Sequence, residues 1–159
     1  MNVPSIALWG FVATIVLTTL TIAGQTLGLT RIDIPFILGT IWTPDRDRAR
    51  VYGYLMHIAN GWLFAIVYAL YFENLREASL GIGALMGLVQ GLVVAVAILP
   101  LLPGVHPRMV SDFRGPEPTR LLEPPGTLLR NYGKLTVLVT LAAHVAYGAV
   151  LGAMYMPTG

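Results

Sequence analysis

Apolar residues run in four long blocks along this chain, at 6–23, 51–72, 80–102 and 135–156, each interrupted only by isolated small or polar residues. As a helix rising roughly 1.5 Å per residue, each block can cross a hydrocarbon core of about 30 Å. The pattern predicts four transmembrane helices. A tight charged turn, ENLREA, joins the second and third, while the links 24–50 and 103–134 are long. The opening MNVPS lacks the positive stretch of a signal peptide, so the first block is expected to persist as a helix.

Composition agrees with this reading. Hydrophobic residues make up 55% of the 159 positions and charged residues 11%, against about a quarter charged in soluble domains. The expectation is a single-domain, all-α integral membrane protein. Every Lys and Arg except Arg76 lies in the two long links or at the start of the fourth block. The positive-inside rule then places both long loops in the cytoplasm and both termini outside. A net charge of +2 is too small to argue for nucleic acid, and the absence of cysteine excludes disulfides and thiolate chemistry.

The first long loop carries IDIPFILGTIW, apolar yet too short to span; Pro35 and Gly39 interrupt it, which suggests an interfacial or re-entrant segment. Next, TPDRDRAR reads as a turn opening the second helix, with Asp45 and Asp47 near its positive end. Arg46 and Arg48 could instead meet lipid phosphate. The second loop holds LPGVHPRM and EPTRLLEPPG, where prolines disfavour helix. There His106, Arg108, Asp112, Arg114 and Glu117 offer a candidate headgroup site. An ordered cap made by both loops is expected. Trp42, Tyr52, Tyr54, Tyr71 and Tyr155 suit an interfacial belt.

The two halves resemble one another. ALWGFVAT at 7–14 parallels ALMGLVQG at 84–91, and each half then shows a long loop, a Tyr-Gly pair and an H-x-A-x-G helix. MHIANGWLFA at 56–65 thus has a counterpart in AHVAYGAVLG at 143–152. This predicts two related hairpins, a parallel repeat.

Helical residues four apart share a face. Gly53, His57 and Gly61 form one stripe; Thr140, His144, Gly148 and Gly152 another; Gly83, Gly87 and Gly91 a third. Such faces suit close helix contact, so both histidines should point into the bundle. Thr14, Thr18 and Gln25 on the first helix, with Asn60 and Gln90, add intramembrane polarity.

Three readings of His57 and His144 stay open: polar glue between helices, a proton, ion or small-solute path, and axial ligation of haem b. Against haem stands the count from Tyr-Gly to His. It differs by about two turns between the halves, roughly 10 Å of depth if the helices start level. No Ser-His-Asp arrangement or metal-ligand spacing occurs, so neither a catalytic residue nor a metal site is assigned.

The strings LGTIWTPDRDRARVYGYLMHIANGWLFAIVYALYFE, GVHPRM, LEPPGTLLRNYG and LVTLAAHVAYGAVLGAMY resemble those of small four-helix bacterial inner-membrane proteins of unknown function. The resemblance implies a multi-pass protein of the bacterial inner membrane and transfers no catalytic residue. Surplus glycine-lined faces make the expected function non-enzymatic: an accessory or scaffold subunit of a larger membrane complex, or a homo-oligomer.

Overall fold

The computed structural model describes residues 1–111, 114–120 and 122–158. Helix α1 (Val3–Thr26) is followed by the short α2 (Ile34–Gly39), then α3 (Arg46–Leu75) and α4 (Leu80–Val93). A π turn over Val94–Ile98 carries α4 into α5 (Leu99–Val105). A 3₁₀ segment, Thr127–Tyr132, leads to α6 (Thr136–Met154). Among the described residues the only β structure is a set of isolated bridges between 109 and 122. Four helical stretches, with α4 and α5 counted as one, are long and apolar enough to cross a membrane.

Local chemistry sets where these helices begin and bend. The Asn2 side chain accepts from the Ser5 amide at 3.1 Å to open α1. That of Asp45 accepts from Arg48 at 2.8 Å to open α3. Helix α3 therefore starts at Arg46, five residues before the hydropathy boundary, because a carboxylate cap lets charged residues make up its first turn. The threonines of α1 stay inside an apolar helix by donating back along it: Thr14 to Gly10 and Thr18 to Thr14, both at 2.7 Å. Pro100 has no amide hydrogen and its ring crowds the carbonyl one turn back. The widened π turn just before it accommodates that conflict.

Helices α1 and α6 are the central pair. Helix α3 packs on α1, α4 packs extensively on α6, and α2 lies along the start of α3. Although only residues 76–79 separate them, α3 and α4 share no extended close contact, and a gap runs between them. The α4–α6 seam is backbone against backbone. A Cβ on Gly83 would run into the Gly148 carbonyl, and one on Gly148 into that of Gly83. Small residues on both sides permit that approach.

Two apolar cores result. Near the chain ends, Tyr68, Phe72, Tyr147, Leu151 and Tyr155 pack with α1. Tyr68 meets Tyr147 edge-on at 5.6 Å between centroids. Under the long loops, Ile32, Ile37, Leu99, Met109, Leu129 and Tyr132 form the second core.

The loop segment 32–42, expected as an interfacial or re-entrant piece, folds against α3. It forms α2, with Pro35 and Ile37 buried and the Pro35 carbonyl pressed onto Gly53 of α3. The two Tyr-Gly pairs also occupy different places. Tyr52-Gly53 lies within α3, whereas Tyr132-Gly133 precedes α6, with Gly133 at φ 129° in the connection. Counting from those pairs therefore overstates the offset in depth between the two histidines.

Candidate functional site

Between the two cores lies a cavity of about 150 Å³. Its walls come from α1 (Thr14, Leu17, Thr21), from α2 and the residues before it (Ile32, Ile34, Ile37, Leu38), and from α3 (His57, Asn60, Gly61, Phe64). Gln90, with Val94, Ile98, Leu99 and Leu102 of the π turn and α5, supplies another wall, and Thr140, Ala143, His144 and Tyr147 the α6 side. His57 and His144 thus share one chamber. So do three further polar positions picked out by pattern, namely Thr14, Asn60 and Gln90.

The polar atoms of this chamber are of two kinds. Some are satisfied by the protein: Thr14 donates within its own helix, and Tyr147 donates to the Gly61 carbonyl at 2.6 Å, tying α6 to α3. Others are not. The Nε2 of His57 is buried and has no hydrogen-bond partner. His144 donates from Nδ1 to the Thr140 carbonyl at 2.8 Å, since a carbonyl can only accept; in the neutral ring this leaves Nε2 as a lone-pair acceptor. Gln90 accepts at Oε1 from the Tyr68 hydroxyl at 2.8 Å, which leaves its amide N–H groups for the chamber. Three helices therefore bring donors and acceptors to one small space.

Thr18 and Gln25 belong elsewhere. They line a void of about 30 Å³ beside His57 and Thr21, about one water in size. Gln25 donates to the Ile32 carbonyl at 2.5 Å, holding the start of the first loop against α1.

The loop candidates act as fasteners. His106 is 1% exposed. Its Nε2 donates to the Ile37 carbonyl at 2.9 Å and its Nδ1 accepts from the Arg108 amide at 3.1 Å, so both nitrogens are used. The guanidinium of Arg108 donates to the carbonyls of Thr40 and Ile41 at 2.5 and 3.0 Å. A cation at the carbonyl end of a helix is favourable, so the second loop closes α2 and with it the roof of the chamber. Burial, with Arg108 and Arg114 adding repulsion, pushes the His106 pKa below its ordinary value. Arg114 repeats the device by donating to the Pro103 and Gly104 carbonyls at the end of α5. Arg46 lies 5.8 Å over the Phe36 ring, and the Arg48 side chain is exposed. Glu117 pairs with Arg120 at 3.1 Å, and Asp112 lies outside the described residues. Arg31 bridges Glu123 at 3.1 Å, joining the first loop to the second, and Thr30 meets Thr136 at the start of α6 at 2.8 Å.

Pattern reasoning missed Tyr68. It sits on an apolar helix face and reads as a core aromatic; only its hydroxyl, which needs a partner once buried, hints at more. Fold and chamber together define a helical protein with the spans of a multi-pass membrane protein and, between them, a small, largely apolar cavity that carries a few polar groups. Comparison with family models, with curated proteins and with solved structures returns no match.

Proposed function

We propose that this chain is a non-enzymatic multi-pass membrane protein that holds a small polar guest between its spans, using His57, Asn60, Gln90 and His144. The observation that carries this is the orphaned Nε2 of His57. A buried polar atom without a partner costs about 1–3 kcal/mol, and a guest that hydrogen-bonds to it removes the penalty. Size supports the same reading: about 150 Å³ is the volume that accepts one benzene ring. Haem b, the cofactor that two histidines first suggest, would need room for a macrocycle many times larger.

The accessory-subunit or homo-oligomer reading rested on glycine faces in search of partners. Gly83, Gly87, Gly148 and Gly152 meet the backbone of α4 or α6 within this same chain, so such a partner would have to use other surfaces. In this proposal the Lys and Arg bias sets both long loops in the cytoplasm, the halves descend from one duplicated hairpin, and the membrane is the bacterial inner membrane.

The test is a titration of lipid-nanodisc protein, carrying isotope-labelled histidine side chains, with phenol, a single ring whose hydroxyl both donates and accepts. Saturable shifts of the His57 and His144 signals, with His106 unmoved, are expected. If those two signals stay fixed while the lipid saturates with phenol, the reading is lost.

A further inference from the structure

The chamber has a side opening. Along the edge where α3 and α4 fail to pack runs a second space of about 350 Å³, lined by Val67, Tyr71, Leu85, Met86, Val89 and their neighbours. Phe64, Gln90, Val94 and Ile98 belong to both spaces, so the groove ends where the chamber begins. Its walls are almost wholly apolar, and Val67 and Val89 on its two sides are half-exposed. Gln90 lies about 15 Å along the helix from Leu80, halfway through a hydrocarbon core of about 30 Å. The groove therefore faces acyl chains, not water. The π turn contributes Val94 and Ile98 at the junction.

Ring-sized volume, hydrogen-bonding groups at the inner end and a lipid-facing apolar channel at the outer end together specify a ligand. Resting on the guest-binding reading above, we infer that the guest is the head of a membrane-dissolved amphiphile: a single phenol- or quinol-type ring seated among His57, Gln90 and His144, with its alkyl or isoprenoid tail leaving through the α3–α4 groove. A ring hydroxyl donates to the free Nε2 of His144 and accepts from the Nε2–H of His57, whose buried nitrogen then has its partner, and from the Gln90 amide. The tail needs no polar partner, because lipid and groove are equally apolar. A chamber of this size cannot enclose the tail, so the groove is its way out.

The experiment compares phenol with para-octylphenol on the nanodisc protein, with affinities expressed against concentration in the lipid. Both are expected to shift the His57 and His144 signals in the unaltered protein. Val89→Trp and Val67→Trp, each on a lipid-facing wall of the groove, should weaken para-octylphenol by about tenfold and leave phenol unchanged. Two variants on different helices guard against one that fails to fold. If phenol binds and para-octylphenol does not, or if neither variant affects para-octylphenol, the amphiphile inference is overturned while the cavity reading stands. If neither compound moves the signals, both fall.

Discussion

Tyr68 on α3 and Gln90 on α4 are joined by a hydrogen bond of 2.8 Å across the gap between two consecutive spans that make no extended contact. It fixes which end of the Gln90 amide faces the chamber. Tyr68→Phe leaves that carbonyl oxygen unpaired and should lower stability by about 0.6–2 kcal/mol, the range for single interhelical hydrogen bonds in membranes. Reversible unfolding in mixed micelles measures the change. An unaltered midpoint would mean that Gln90 finds another partner.

Gly148→Val drives a side chain into the Gly83 carbonyl, whereas Gly81, on the same helix as Gly83, has nothing within 4 Å of where a Cβ would stand. The first substitution should cost about 1–3 kcal/mol or more through overpacking. Gly81→Val should change stability by less than about 1 kcal/mol, because valine is at least as good a helix former as glycine. Parallel unfolding curves of the two variants decide it, and equal losses would refute the backbone contact.

His57→Leu removes the orphaned nitrogen and keeps an apolar side chain in the chamber wall. The variant should be as stable as the parent or gain about 1 kcal/mol, while its affinity for phenol falls. A large loss of stability would show that His57 is structural glue, with a partner that forms only in the membrane.

His106 is held neutral in the folded protein, with its pKa below the ordinary 6.5. The unfolded chain takes up this proton as pH falls through about 6.5. The stabilisation is therefore complete above that value and declines below it, by at most about 1.4 kcal/mol per pH unit, until the folded pKa is reached. In His106→Gln the amide can still donate to Ile37 but cannot titrate. Subtracting its unfolding profile from that of the parent, across pH 5 to 8, should leave this slope.

Arg108→Leu strips two carbonyls at the end of α2 of a charged donor. About 1.5–3 kcal/mol per charged hydrogen bond is at stake, concentrated in one short helix. Hydrogen exchange should accelerate over 34–41 and much less over α6. Uniform acceleration would contradict a local fastening role.

The four spans were legible because hydropathy alone decides them, and the inward direction of His57 and His144 followed from their glycine neighbours. The start of α3 was legible too, because TPDRDRAR reads as a turn opening that helix and Asp45 caps it. Two things were not legible. The use of His106 depends on Ile37, 69 positions away. No local pattern announces that pairing. The role of Tyr68 depends on a gap between neighbouring helices, whereas hairpin logic expects α3 and α4 to pack. Pro100 did carry a local signal, a proline inside a span, and the π turn before it is the structural answer.

The partnering of α4 also constrains how the chain is made. Its glycine seam fits α6, yet α6 is synthesised only after the whole of the second long loop. During that interval α4 stands in the bilayer beside α3, a neighbour it will not pack on, with its closest-fitting face turned to lipid. Docking of α6 therefore completes the bundle, and a chain stalled before it would leave the α4 seam uncovered.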